Sequence, residues 1–390
     1  MTIVVVGVPA EGWTGLGERA RNELADCEVL FGSARQLDLI PLDLPKHPWP
    51  SPLLPALGEL LAGHGGRRIG VLASGDPLLS GIGTTLVKRF GQDVTIIPAV
   101  SSVTLARARL GWSAEETEVI SVVGRDVHRV ARTLAPGARL LVLSSDANSP
   151  ARIAGLLTEL GFGDSRLIVL EQLGAVAERR VEGLARTWDQ VSDPLNIVAV
   201  ECAGGPALPV LPGLPDDAFE HDGQLTKRDL RALALARLAP LPGQLLWDVG
   251  AGAGSVAIEW SRAHPANRAI AVERDPGRAA RITRNAERLG VPELRVVTGA
   301  APEALADLPR PDAVFVGGGL RAWRPCWEAL APGGRLVAHA VTLESEQTLA
   351  QAYAATGGEL IRVAVEHAAP LGGFTGWTPA RTLTQWSNTK

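Results

Sequence analysis

The seven residues Asp248-Val249-Gly250-Ala251-Gly252-Ala253-Gly254 carry the clearest chemistry in the chain. Three glycines at every second position stand between the apolar Leu245-Leu246-Trp247 and the helix-like Ser255-Val256-Ala257-Ile258-Glu259-Trp260. A strand that passes through such a loop into a helix lets backbone approach a ligand closely. The spacing is not the Gly-x-Gly-x-x-Gly of dinucleotide loops, because the third glycine comes one residue early. Asp248 would repel a pyrophosphate and suits a ligand carrying an ammonium and a sulfonium, as S-adenosylmethionine does. Glu273 ends the apolar run Ala269-Ile270-Ala271-Val272, 23 positions after Gly250, where a carboxylate can accept hydrogen bonds from both ribose hydroxyls. Taken alone the glycines also fit a tight strand-to-helix turn; with Asp248 and Glu273 the loop reads as a methyl-donor site.

The elements that must position this loop follow from periodicity. After residues 203–217, too dense in proline and glycine for helix or strand and read as a linker, Thr226 can cap a helix in which Leu230, Leu233, Ala234 and Leu238 recur at helical spacing. Strands at 269–273, 294–298, 313–316 and 335–340 then alternate with helices, which predicts a parallel sheet. Stretches at 360–365 and 382–386 lack an intervening helix and predict an antiparallel edge. Before the linker the same α/β pattern recurs with other loops at strand ends: Gly7, Ser74-Gly75-Asp76-Pro77 and Val100-Ser101-Ser102. It restarts near residue 110 with strands at 119–123, 140–143, 167–170 and 196–200. The expected organisation is a module at 1–202 with lobes of about 1–108 and 109–202, the linker at 203–217, and a module at 218–390.

Composition narrows the classes. With 390 residues the chain has room for two or three domains, and 46% hydrophobic, 21% charged and 4% aromatic residues suit a soluble α/β protein and not a disordered one. A net charge of -4 without a Lys/Arg-rich run leaves no electrostatic footprint for nucleic acid. Cys27, Cys202 and Cys326 are isolated, and no histidine pairs at i, i+4 with a nearby acid, so neither disulfides nor a protein-bound metal is expected. Met1-Thr2 leads straight into Ile3-Val4-Val5-Val6, without the charged start of a signal peptide, and no later run approaches a membrane span. A cytoplasmic protein is expected.

Both sides of the linker resemble known families. The N-terminal half resembles the tetrapyrrole (corrin/porphyrin) methylases through Ser74-Gly75-Asp76-Pro77-Leu78-Leu79-Ser80-Gly81-Ile82-Gly83, Pro98-Ala99-Val100-Ser101-Ser102-Val103-Thr104-Leu105-Ala106 and Pro194-Leu195-Asn196-Ile197-Val198. The C-terminal half resembles the decarboxylating precorrin methylases through Thr226-Lys227-Arg228-Asp229-Leu230-Arg231, the glycine loop, Gly299-Ala300-Ala301-Pro302-Glu303-Ala304-Leu305 and Val316-Gly317-Gly318-Gly319. The fused order is similar to the precorrin-6Y methyltransferase (decarboxylating) family of cobalamin biosynthesis.

That resemblance implies an α/β fold: a two-lobed tetrapyrrole methylase fold followed by a Rossmann-like S-adenosylmethionine-dependent methyltransferase domain. It also implies methylation of carbons 5 and 15 of a reduced precorrin, decarboxylation of its carbon-12 acetate to give precorrin-8, two S-adenosylmethionine sites per chain, and a homo-oligomer built through the C-terminal module. The N-terminal module would methylate carbon 5, and the C-terminal module carbon 15 with the decarboxylation. Carried over by residue, the C-terminal cofactor contacts are Thr226, Gly250, Ala251, Gly252, Ala253, Gly254, Glu273 and Ala301, and the N-terminal ones Gly75, Asp76, Ser101 and Ser102. Helix capping by Thr226 and turn chemistry at Asp76-Pro77 are the structural alternatives. A substrate rich in acetate and propionate arms suits Lys227, Arg228, Arg231, Arg321 and Arg324, which flank loops on the ligand edge and equally fit a solvated basic face. His339 and Glu344, beyond a late strand, are candidate acid/base groups, with a satisfied structural role as the competing reading.

Three departures stand out. The loop Gly7-Val8-Pro9-Ala10-Glu11-Gly12 lacks the second glycine of the usual Gly-x-Gly-Pro-Gly, Ala300 stands where many relatives carry an acid, and Val123 where a histidine is common. The alternatives are an RNA substrate for the same cofactor, a degenerate N-terminal pocket serving oligomerisation, and a dehydrogenase.

Overall fold

Short apolar runs in this chain become strands buried on both faces. β1 (Thr2–Val8) holds Ile3, Val4, Val5 and Val6 fully out of water, as a strand central to a parallel sheet requires. With β2 (Val29–Gly32), β3 (Lys46–Pro48), β4 (Arg68–Ser74) and β5 (Val94–Ile97) it forms a parallel sheet ordered β3-β2-β4-β1-β5. The computed structural model describes residues 2–390, which divide into two units: the chain up to Val127 with Ala135–Pro206, and His128–Leu134 with Ala207–Lys390.

The restart after residue 110 produces a mixed sheet. β6 (Thr117–Ser121), β7 (Arg139–Leu143), β8 (Arg166–Glu171), β9 (Arg179–Leu184) and β10 (Asn196–Glu201) pair in the order β6-β7-β10-β8-β9, and only β6 and β7 run parallel. β9 escaped sequence reading because Arg179-Arg180-Val181-Glu182-Gly183-Leu184 is polar and mostly exposed, as an edge strand can be.

In the second unit, β11 (Leu245–Val249), β12 (Arg268–Glu273), β13 (Arg295–Thr298), β14 (Ala313–Val316) and β15 (Arg335–Ala340) are parallel. The chain then runs through β16 (Glu359–Val363), a separate hairpin of β17 (Glu366–Leu371) and β18 (Phe374–Pro379), and β19 (Leu383–Thr389). The sheet order is β13-β12-β11-β14-β15-β19-β16, with β19 antiparallel to both its neighbours. The antiparallel end is thus present, and β19 inserts between β15 and β16 to bury Trp386 edge-on against Trp323 at 5.6 Å between ring centres. No helix among the described residues is long and apolar enough to cross a membrane.

The segment 203–217 is not a free tether along its whole length. Arg262 donates from Nη2 to the Leu208 carbonyl at 2.9 Å, Gly213 N–H and Leu214 N–H donate to Glu259, and Leu214 is fully buried among Phe219, Ile258 and Leu289. Its second half is a strap bound to the C-terminal unit. Proline and glycine exclude regular structure there, but they do not prevent main-chain groups from pairing with buried side chains.

Candidate functional site

Strand order reverses direction on either side of β11 and β14, and such a switch leaves a crevice at the carboxyl ends of the strands. A cavity of about 1350 Å³ opens there, floored by Val249 to Gly252 from the end of β11 and Gly317 to Gly319 from the end of β14. Gly250 has φ +71°, and a Cβ on it would lie 2.7 Å from the backbone of Gly318, so two strand ends meet where only glycine fits. Protein backbone, and not only a ligand, therefore demands the glycine. Glu273, nearly buried, accepts from Gly252 N–H at Oε2 (2.8 Å) and from Asp275 N–H at Oε1 (3.0 Å). Each oxygen retains a further lone pair, and Glu273 lines the cavity.

Asp248 lies beneath the loop and does not line the cavity. Its Oδ2 accepts from Ala257 N–H at 3.0 Å, its buried Oδ1 has no hydrogen-bond partner among the described residues, and burial pushes its carboxyl up to about 7. It anchors the strand-to-helix turn; it is not placed to touch a ligand.

Thr226, Lys227, Arg228, Gly250, Ala251, Gly252, Glu273, Ala301 and His339 line this one cavity, so the fold brings together residues spread over more than a hundred positions. Thr226 does not cap the helix that follows: Arg228–Leu238 begins after Lys227 with no side-chain cap bond. Six of the expected residues do not line the cavity. Ala253 and Gly254 turn into the core, where the Ala253 carbonyl accepts from Asn285 and a Cβ on Gly254 would meet Ile282 at 2.6 Å. Arg231 is fully buried, donating to Glu259 at 2.6 Å, to Asp216 at 3.2 Å and to the carbonyls of Thr226 and Leu214, above the Phe219 ring. Four of its five N–H donors are taken, and the side chain is fully buried, so it holds the site's frame and is not placed to reach a ligand. Arg321 and Arg324 are exposed outside the cavity, the second stacked on Trp323. Glu344 is exposed at the start of helix Leu343–Thr356, where its own backbone N–H and the Thr342 hydroxyl hold its carboxyl below the usual range.

His339 reaches the cavity wall but is a satisfied core group. Its Nε2 shares a 2.9 Å hydrogen bond with Gln385, its ring meets Phe315 edge-on at 4.9 Å, and burial pushes it down to about 4. It is neutral at pH 7 and carries no proton to donate as an imidazolium.

A second cavity of about 390 Å³ lies in the N-terminal unit, at the carboxyl ends of β1, β4 and β5. Gly75, Asp76, Ser101 and Ser102 all line it, with Val8, Pro9 and Ala10 of the altered first loop. Gly7 has no room for a Cβ against the Gly75 carbonyl, and Gly75 N–H donates to Val8 O while Ala99 N–H donates to Gly75 O, both at 3.1 Å. The loop lacking its second glycine therefore still knits three strand ends together. Asp76 Oδ1 accepts from Leu78 N–H at 2.8 Å and Ser101 caps helix Ser102–Leu110, so both also serve the turn and cap roles weighed against ligand binding.

Sequence reasoning missed Gln36, which lines the N-terminal cavity and donates to Ser74 Oγ at 3.0 Å, and Arg274, His367 and Arg381, which line the C-terminal one. Arg274 directly follows Glu273, a position at a strand's carboxyl end that marks it as ligand-facing. His367 lies in the β17–β18 hairpin and Arg381 just after it, and only folding places them at the cavity.

Residues 2–189 match the family model described as Tetrapyrrole (Corrin/Porphyrin) Methylases, and residues 217–390 that of the Precorrin methyltransferase domain. The precorrin-6Y C(5,15)-methyltransferase [decarboxylating] of Sinorhizobium sp is 46% identical over 398 residues, 100% of this chain and 96% of the relative. The protein of the same name from Mycobacterium tuberculosis is 48% identical over 400 residues, covering both chains in full at 100%. A probable cobalt-precorrin-6B C(15)-methyltransferase (decarboxylating) of Pyrobaculum calidifontis is 40% identical over 153 residues, 37% of this chain and 78% of the relative. Two glycine-shaped cavities in two units, matched along the whole chain by relatives of one kind, place this protein in the precorrin-6Y C(5,15)-methyltransferase (decarboxylating) family of methyltransferases.

Proposed function

We propose that this chain methylates carbons 5 and 15 of precorrin-6Y and removes carbon dioxide from the acetate arm at carbon 12, using one S-adenosylmethionine site in each unit. The observation that carries the reading is the pair of cavities, one per unit, each formed at strand carboxyl ends and lined by most of the residues expected to bind the cofactor. The N-terminal cavity is assigned to carbon 5 and the C-terminal one to carbon 15 with the decarboxylation. The name of the free-standing Pyrobaculum relative, which aligns with little more than a third of this chain, supports housing the last two steps in one module.

The C-terminal residues fit S-adenosylmethionine. Glu273 offers a free lone pair on each oxygen for the two ribose hydroxyls, and the Gly250–Gly252 backbone leaves the cavity floor without side chains beyond a methyl. When bound, the cofactor supplies a methyl group already activated by a sulfonium. The protein's task is then alignment: an electron-rich meso carbon of the substrate must face that methyl group at bonding range. Loss of carbon dioxide sends the electron pair of the breaking carbon–carbon bond into the conjugated ring, and a carboxylate drawn out of water gives it up more readily. Neutral His339 on the wall adds no charge that would hold the carboxylate back.

Calorimetry of the full chain with S-adenosylhomocysteine tests the two-site reading, with two sites per chain expected. Glu273→Gln should remove one of them and stop carbon dioxide release while a singly methylated product still forms. One site in the unaltered chain, or carbon dioxide release undiminished in Glu273→Gln, refutes the assignment.

A further inference from the structure

The C-terminal cavity, at about 1350 Å³, exceeds the 300–1,000 Å³ typical of a single small-molecule site, which leaves room for a second ligand beside a cofactor. Its charged lining sorts by whether each group already has a partner. Arg278 is held by Asp222 at 2.9 Å, Lys227 lies 3.5 Å from Asp216, and Glu273 is engaged by two N–H groups. Arg274 and Arg381 line the same cavity, are exposed, and make no ion pair, hydrogen bond or ring contact among the described residues. Arg228 is likewise without a partner, but Asp217 and Asp229 share its part of the lining and offset its charge.

The topology sets the two free guanidiniums on opposite flanks. Arg274 follows the last residue of β12, and Arg381 stands two residues before β19. Because β19 is antiparallel to β15, with Thr384 opposite Ala340, its beginning lies level with the carboxyl ends of the parallel strands. From β12 the order runs through β11, β14 and β15 to β19, four inter-strand steps. At about 4.8 Å per step the two backbones are roughly 19 Å apart. Ala380 N–H donates to Val365 O at 2.8 Å, which fixes the segment bearing Arg381 against the root of the hairpin.

We propose that Arg274 and Arg381 form a two-sided clamp that receives carboxylate arms on opposite edges of one broad, polyanionic ring, and so select the substrate and set its orientation over the cofactor. Each guanidinium can bind a carboxylate through two parallel N–H donors, a geometry lysine cannot reproduce. The inference rests on the precorrin substrate proposed above and adds the residues that read it.

In the full-length chain, with carbon dioxide release as the readout, Arg274→Gln and Arg381→Gln should each raise KM for precorrin-6Y about tenfold, the worth of one charge-assisted contact at a partly wet site. In each, kcat should fall by less than KM rises. The double variant should raise KM by about the product of the two, because the sites are too far apart to couple. Affinity for S-adenosylhomocysteine should stay within twofold, on the order of measurement scatter for groups that do not touch the cofactor. Arg381→Lys should keep part of the affinity and guards against a folding defect in the glutamine variant. KM unchanged in both single variants, or cofactor affinity falling in step with KM, overturns the clamp. A wild-type chain that does not turn over precorrin-6Y overturns instead the activity on which the clamp rests.

Discussion

Replacing Arg231 by methionine strikes the frame beneath the C-terminal cavity without touching its wall. Arg231 is fully buried and Glu259 nearly so, with Nε 2.6 Å from Oε1. Glu259 also accepts from Gly213 N–H at 2.6 Å and Leu214 N–H at 3.0 Å, while Arg231 reaches Asp216 at 3.2 Å and the Thr226 and Leu214 carbonyls. One guanidinium thus joins the strap, the loop bearing Thr226, and the helices Arg228–Leu238 and Ser255–Ala263. Arg231→Met leaves a buried carboxylate with two N–H donors and no countercharge, a loss of about 3–5 kcal/mol. That equals roughly two to three and a half orders of magnitude in the local opening equilibrium. Hydrogen exchange in the full chain reads it directly: amide protection in the two helices should drop by that factor, while β1 and β4 in the other unit keep theirs. Adding Glu259→Leu should restore a large part of the loss, since an apolar pair of similar volume carries no stranded charge, although the two N–H groups of the strap then lose their acceptor. A drop below tenfold in Arg231→Met, or a double variant no more protected than the single one, would refute the reasoning.

Acid stability should carry the signature of His339. Its pKa in the folded chain, about 4 against an ordinary 6.5, lies below the unfolded value, so its contribution is present above pH 6.5 and is lost as pH falls toward 4. The 2.5-unit difference corresponds to at most about 3 kcal/mol. Asp248 tilts the other way, because a carboxyl pushed up to about 7 weakens the fold as pH rises from 3.8 to 7. The comparison must therefore be between wild type and His339→Asn: urea midpoints measured across pH 4–6.5 should fall less steeply in the variant, and identical slopes would contradict the assignment. Gly250→Ala places a Cβ 2.7 Å from the Gly318 backbone at a residue with φ +71°. The left-handed conformation alone disfavours alanine by about 1–2 kcal/mol. The two strand ends must also separate, so calorimetry should show affinity for S-adenosylhomocysteine at that site weakened by at least about tenfold. Unchanged affinity would mean that the loop can move without disturbing the site.

The two cavities explain a chain without an obvious catalytic residue. Near the C-terminal glycine loop, Glu273 is engaged by two backbone N–H groups, Asp216 is tied into the frame and His339 is neutral. The unpartnered arginines Arg274 and Arg381 on the lining are suited to holding anions and not to moving protons. Binding, orientation and exclusion of water are the work this architecture is built for.

The amino-acid order alone determined the strand–loop–helix around Gly250, the acid that closes the next strand at Glu273, and the glycine and serine loops at Gly75 and Ser101. Those features are legible from spacings of a few residues, from short apolar runs and from glycines at strand ends, all local properties. Which charged groups face the cavity was settled by the tertiary structure. Lys227, Arg228 and Arg231 look alike as neighbours in sequence, yet Arg231 points inward to Glu259, 28 positions away, and is consumed by the frame. Arg381 carries no local signal at all and reaches the site because β19 inserts antiparallel beside β15. Ala253 and Gly254 fit the glycine pattern, but helix Pro276–Arg288 lies against them through Asn285 and Ile282. Burial and pairing are set by residues distant in sequence, and only the packed chain determines whether a charge is spent on the fold or left for a ligand.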